Sequence, residues 1–368
     1  MEIQSTIRKR LLRLRETHGV SQETLSHAMG INNRQSLAEF EAGKRTIQPQ
    51  ELLAAAKFFD VASSYFTDPL ELAGEANFSW RKSRDCDVAI IDEFERTAGR
   101  WIATYRHLGR LMNVSVNSSL TQIGITRDST HDDACLEGSR VANSLELGDI
   151  PANKLAGVLS DKLDILILCL DSVSSISGAA CQLGPLSTVM INRNEGLARR
   201  NFDLAHEYFH LLTWLSMPPE HIENVENNTQ KKSKVEQLAD AFASGLLMPQ
   251  NSLLNYINSK GMPSKDDVQW IKDAATHFKV SGAALKWRLT SMGYFTPAIA
   301  KRIDDSTIRV DLTDEKPKLF SETFVKRLHW AIENGEMSVR KVASTLQLTI
   351  DDLEQLFLSY DLVAPFDL

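Results

Sequence analysis

Apolar residues recur at helical spacing along most of the chain and form short unbroken runs only in its middle. This pattern predicts a helix-rich α+β fold with one small sheet. Ile7, Leu11, Leu12 and Leu14 make a stripe on a first helix that Gly19 closes. Ser21 is placed to cap a second helix, Gly30 ends it, and a third helix begins near Arg34. Short helices punctuated in this way form a helix-turn-helix layout. Ile91, Phe94, Ala98, Trp101, Ile102, Tyr105, Leu108, Leu111 and Met112 predict a long amphipathic helix from Ile90 to about Asn117, followed by a polar loop from Ser118 to His131. Helical spacing resumes from Cys135 to Leu145. The run Ile165–Leu170 is too short to span a membrane and fits a buried strand. Two further strands are predicted at Ser177–Cys181 and Thr188–Asn192, with a turn at Gly184-Pro185. Asn201–Trp214, Val235–Pro249, Asp266–Phe278, Ser281–Met292 and Phe320–Phe357 return to helical spacing.

These shifts divide the chain into an all-α unit at 1–68, a linker at 69–77 where acidic and loop residues gather, a main domain at 78–300 and a helical C-terminal module at 301–368. Phe78-Ser79-Trp80-Arg81-Lys82 interleaves aromatic and basic residues, and reads as a surface strand or docking strip in preference to a nucleic-acid contact. Ser338–Leu346 with Ile350–Leu356 has the outline of a second helix-turn-helix. Glu333, Glu336, Asp351, Asp352 and Glu354 would repel phosphates there, so a structural role is expected.

Composition narrows the class. With 368 residues, 43% hydrophobic and 24% charged, the chain can bury more than one core and is not disordered overall. A net charge of −7 argues against indiscriminate coating of nucleic acid, while leaving room for one basic face on a small domain. Cys86, Cys135, Cys169 and Cys181 are widely spaced, without a Cys-x-x-Cys pair, and read as free thiols. No apolar run reaches the roughly 20 residues of a membrane span, and the N-terminus lacks the form of a leader, so no membrane partner and a cytoplasmic location are expected.

The chemistry centres on His206-Glu207-x-x-His210. Histidines four apart share a helical face and can reach one metal ion, and Glu207, one step round the helix, is placed to act as a base. A catalytic zinc site needs a third protein ligand. Glu236 and Asp240, also four apart on a predicted helix, permit Glu236 as that ligand and Asp240 as acceptor of the free N–H of a ligand histidine. Taken alone, the same two carboxylates fit the solvated side of an amphipathic helix. Tyr208, His221, His277 and Tyr294 are candidates for stabilising an oxyanion.

Two resemblances extend this reading. Val20-Ser21-Gln22-Glu23-Thr24-Leu25, Met29-Gly30-Ile31 and Phe40-Glu41-Ala42-Gly43-Lys44-Arg45 resemble the Xre/phage-repressor family over about the first 66 residues, with Arg34-Gln35-Ser36-Leu37 one residue later than in its commonest version. The resemblance implies that Asn33, Arg34, Gln35 and Ser36 face base edges in the major groove. Gln22, Lys44 and Arg45 would contact the backbone of double-stranded DNA at an operator. The competing reading is a module that dimerises or docks a partner. Ile191-Asn192, Arg199–His210 and Glu236–Pro249 are similar to the ImmA/IrrE metallopeptidase family. Phe209 stands where a small residue is common, and Leu238 where an acidic one is. This resemblance implies a zincin-like domain, His206, His210 and Glu236 as ligands of Zn2+, and Glu207 as general base.

Together the resemblances imply a DNA-binding regulator with zinc-dependent endopeptidase activity toward a specific repressor or antitoxin, in a form compatible with a homodimer. The alternative is a repressor or antitoxin-like regulator whose metallopeptidase-like half senses or binds a partner without proteolysis.

Overall fold

A computed structural model of the chain describes residues 2–31, 34–72, 77–83, 88–114, 120–171, 176–218, 222–225, 233–264, 267–313 and 315–367. Asn33, His221 and parts of the expected linker and loops lie outside the described residues.

The N-terminal chain forms α1 (Glu2–Thr17), α2 (Gln22–Ala28), α3 (Arg34–Glu41), α4 (Pro49–Phe58) and the short α5 (Ser64–Thr67). Ile7, Leu11, Leu25, Leu37, Phe40 and Phe66 join in one buried cluster. Ser21 Oγ caps α2 by accepting from the Thr24 N–H at 3.1 Å. Gly19 and Gly30 turn the chain with φ of 62° and 71°, a left-handed backbone that favours glycine. Arg10 is fully buried, and donates to the carbonyls of Tyr65, Asp68 and Glu71 at 2.7, 3.0 and 2.5 Å. It thereby fastens the segment that leaves this unit to the unit's own first helix.

Next come β1 (Asn77–Ser83), α6 (Val88–Leu111), α7 (His131–Ser144), α8 (Leu155–Asp161), β2 (Leu166–Leu170), β3 (Ile176–Leu183), β4 (Leu186–Asn192), α9 (Leu197–Leu212), β5 (Ile222–Val225) and α10 (Lys234–Leu247). The helices α11 (Gln250–Lys260), α12 (Val268–Phe278), α13 (Gly282–Ser291), α14 (Pro297–Arg302), α15 (Glu322–Glu333), α16 (Val339–Leu346) and α17 (Ile350–Leu358) follow. The fold is α+β and helix-rich, as the periodicity predicts. Among the described residues, no helix is long and apolar enough to cross a membrane. α6 ends at Leu111, short of the expected Asn117, because Asn113 takes a left-handed φ of 53°.

The sheet has five strands in the order β2-β4-β3-β1-β5. β2 runs parallel to β4, β3 antiparallel to both β4 and β1, and β5 parallel to β1. The Phe78–Lys82 segment is therefore an inner strand, hydrogen-bonded on both sides, and not a surface strip. All seven residues of β4 are buried, because both faces of the sheet are covered. Val189 and Ile191 point into one core with α9 and α10, while Leu186 and Met190 point into another. That second core contains Trp101, Ile102, Tyr105 and Leu108 of α6, together with Phe324 and Leu328 of α15, Val342 of α16 and Phe357 of α17. Trp101 Nε1 donates to the Thr345 carbonyl at 3.1 Å, and the buried Arg327 guanidinium lies 3.8 Å over the Tyr105 ring. The last three helices thus share one core with α6 and the sheet.

On the first face, α7 and α10 approach backbone to backbone. A Cβ at Gly138 would fall 2.2 Å from the Phe242 carbonyl oxygen, and one at Gly245 would fall 1.9 Å from that of Cys135. Ser139 Oγ donates across the same contact to the Gly245 carbonyl at 3.0 Å. Gly245→Ala is expected to force the helices apart and to destabilise the domain by about 1–3 kcal/mol, the usual range for overpacking. Urea unfolding checks this: an unchanged midpoint would show that the contact yields freely.

Candidate metal centre and DNA-facing helices

α9 is amphipathic in an unusual sense, since the face presenting polar chemistry is also buried. Asp203, His206, Glu207 and His210 share that face by their spacing, and all four are almost completely buried. The opposite side, with Tyr208 and Phe209, packs into the first core, where both rings contact Phe242 of α10. α10 crosses at this point, and brings Glu236 from its first turn and Asp240 from its second onto the histidines. Ser233 caps α10 by accepting the Glu236 N–H at 3.2 Å, which fixes the turn that carries this carboxylate.

The two imidazoles and one carboxylate converge on a common point. His206 Nε2 lies 3.2 Å from Glu236 Oε2, His210 Nε2 lies 3.1 Å from Glu236 Oε1, and the two Nε2 atoms are 3.2 Å apart. Ligands held at about 2.0–2.1 Å in a tetrahedron lie about 3.3 Å from one another, so this donor set has the spacing of three corners around one small cation. Its chemistry agrees, since nitrogen and carboxylate oxygen together suit a borderline divalent ion. Among the described residues, His206, His210 and Glu236 form the cluster of metal-ligating type. His206 Nδ1–H donates to Asp240 Oδ1 at 3.0 Å, which favours the tautomer with an unprotonated Nε2 facing the cluster.

Glu207 turns from this point toward the sheet. A Cβ on Gly178 of β3 would lie 3.4 Å from Glu207 Oε1 and 3.0 Å from the Met190 carbonyl oxygen, so the absent side chain at Gly178 lets the carboxylate rest on the strand. Just upstream, Arg199 Nε donates to the buried Asp203 Oδ2 at 2.9 Å and Nη2 to Ser177 Oγ at 3.1 Å. This network was not anticipated from the sequence. Asp203, one turn before Glu207 on the same face, is the signal that could have revealed it. Of the expected oxyanion donors, Tyr208 faces the core and burial raises its hydroxyl well above its ordinary value. His277 is exposed and stacks on Tyr256, with ring centres 4.8 Å apart; partial burial lowers its value.

With this geometry in view, residues 161–290 match the family model described as the IrrE N-terminal-like domain, of the M78 peptidases, and residues 11–66 match a helix-turn-helix family model. The chain is a fusion of these two domains. Comparison with curated proteins and with solved structures returns no match. The IrrE-like match takes in the cluster, strands β2 to β5 and, almost entirely, α9 to α13, and leaves out β1.

In the helix-turn-helix domain, Arg34 and Gln35 open α3 and are exposed, Ser36 is half-buried and Lys44 is exposed. Gln22 starts α2, and its side chain bridges two elements, donating to Glu41 Oε2 at 2.6 Å and accepting from Arg34 Nε at 3.3 Å. Arg45 forms an ion pair with Glu51 in the first turn of α4, which makes it part of the domain's internal bracing. Glu41 is gripped by Arg15 through two hydrogen bonds at 2.6 and 3.1 Å. The partners are 26 residues apart, so no local pattern announces them. Glu41→Ala is expected to cost about 2 kcal/mol by leaving Arg15 and Gln22 without their shared acceptor. Denaturation of the full chain, followed by a probe in this domain, measures the loss; a shift under a few tenths of a kcal/mol would contradict it.

Proposed function

We propose that the chain is a DNA-binding regulator whose IrrE-like half is a zinc-dependent endopeptidase, directed at a specific repressor or antitoxin protein. The observation that carries this reading is the buried convergence of His206, His210 and Glu236 with a second carboxylate, Glu207, next to His206 on α9 and outside the donor triangle. A purely structural metal site fills its coordination with protein atoms and has no use for an adjacent carboxylate.

In this reading, His206, His210 and Glu236 hold the ion, and Asp240 keeps His206 in the binding tautomer. Zn2+ so held supplies Lewis acidity, polarising a peptide carbonyl and making water nucleophilic near neutral pH. Glu207 takes a proton from the attacking water and returns it to the departing amine as the C–N bond breaks. Gly178 leaves room for the carboxylate beside β3, and burial of the whole face limits competing solvent.

Two outcomes test the catalytic half. Glu207→Gln should retain stoichiometric zinc and lose cleavage of its protein target in cells by about two orders of magnitude or more. Glu236→Gln or His210→Ala should lose the metal itself. Elemental analysis of purified protein, paired with a comparison of cellular protein fragments, separates the two; a zinc-free wild type, or fragments unchanged by Glu207→Gln, would overturn the reading.

For the helix-turn-helix half, the exposed Arg34 and Gln35 at the start of α3 support entry of that end into the major groove, with Gln22 and Lys44 at the backbone. Replacing Arg34 or Gln35 by Ala should weaken binding to the upstream region of the chain's own gene by about 1–3 kcal/mol and relax base preference, whereas Lys44→Ala should weaken all sequences alike. Mobility-shift titration at fixed salt measures both. Absence of wild-type binding at low salt would favour the dimerising or docking alternative.

A further inference from the structure

Beside the cluster lies an open cavity of about 1130 Å³, walled by the starts of α7, α9 and α13, by α10 and by the segment 305–312. It exceeds the roughly 300–1,000 Å³ that drug-sized molecules occupy, which favours a length of polypeptide as its occupant. Two of its wall residues touch the chemistry already described. Asp240 accepts from His206, and Arg199 is anchored to Asp203 on the helical face of Glu207 and to Ser177, the neighbour of Gly178.

Arg199 is the unusual member of this wall. Its side chain is 42% exposed although its partner Asp203 is fully buried, and the two anchoring hydrogen bonds use Nε and Nη2, leaving the Nη1 donors. A guanidinium fixed along one edge has lost the freedom that makes a surface arginine a poor binder, and can take a carboxylate with little further ordering. The acidic groups on the wall are accounted for by nearby partners or positions. Asp240 faces His206, Asp305 pairs with Lys286 at 2.5 Å, and Asp132 lies in the first turn of α7. Glu195 stands just before the N-terminus of α9, while Asp311 lies two residues from Arg309 on the same wall segment.

We propose that this cavity receives an extended segment of the protein substrate and that Arg199 is a specificity-determining residue, binding an acidic side chain two to three residues from the peptide bond that is cut. The spacing follows from α9. Arg199 and Glu207 are two turns apart, about 12 Å along the axis, and the arginine reaches back toward Asp203 one turn nearer. The remaining gap matches two or three residues of extended chain at about 3.3 Å each. The inference rests on the peptidase reading for the meaning of the cut bond, and on the cavity alone for binding.

The test uses the full chain carrying Glu207→Gln and fluorescein-labelled alanine-rich decapeptides, with one Asp placed at each position in turn and an Asn counterpart for each. Fluorescence anisotropy should show an Asp peptide binding about tenfold or more tighter than its Asn counterpart. That preference should vanish in Arg199→Gln/Asp203→Asn, which removes both charges and so leaves no buried carboxylate uncompensated, and should survive in part in Arg199→Lys. Equal binding of Asp and Asn peptides, no binding of any peptide, or a preference that persists in the double variant would overturn the proposal. An Arg199-dependent preference in a protein that cuts nothing as wild type would retain the subsite and reject the peptidase reading.

Discussion

Three acceptor groups, two imidazole nitrogens and a carboxylate, are buried within about 3.2 Å of one another, and this crowding is the constraint from which much of the IrrE-like domain follows. Lone pairs at such distances repel unless positive charge lies between them, and removal from water makes that repulsion more severe. The surroundings hold the donors against it. Asp240 keeps His206 from turning, the Ser233 cap keeps the first turn of α10 from fraying under Glu236, and Phe209 and Phe242 lock the two helices together behind the donors. The close α7–α10 contact through Gly138 and Gly245 continues that bracing away from the site.

Much of this was legible in the order of residues. The face shared by His206, Glu207 and His210 follows from helical spacing alone, and the all-apolar run of β2 and the fully buried β4 follow from the presence of a core on each side of the sheet. What was not legible depends on contacts between distant segments. Arg15 meets Glu41, Arg10 meets three carbonyls beyond residue 64, and Arg327 meets Tyr105; each is a charged side chain at a position that a local pattern assigns to the surface. Phe78–Lys82 was misplaced for a related reason. Its alternation is compatible with an edge, and only the pairing of β3 on one side and β5 on the other puts it inside the sheet.

The two halves treat their charges in opposite ways. In the IrrE-like domain, acidic groups are drawn inward, where Asp203, Glu207 and Glu236 gather along one interface. In the helix-turn-helix domain, the acidic group nearest the start of α2 is neutralised by Arg15, so the exposed charge at the beginning of α3 belongs to Arg34. An overall charge of −7 therefore says little about either surface.

The core shared by the sheet, α6 and α15–α17 also bears on how the chain comes into being. A nascent chain emerges from its N-terminus, so β2, β3 and β4 are made well before residues 320–357 exist to cover their second face. Until then Leu168, Met190 and Cys181 have α6, Leu70 and Phe78 beside them but none of the late helices. α9 lies on the other side of those same strands, so the sheet beneath the site is covered on both faces only when synthesis is almost complete. A chain interrupted before α15 would carry His206, His210 and Glu236 on strands whose second face still lacks most of its cover.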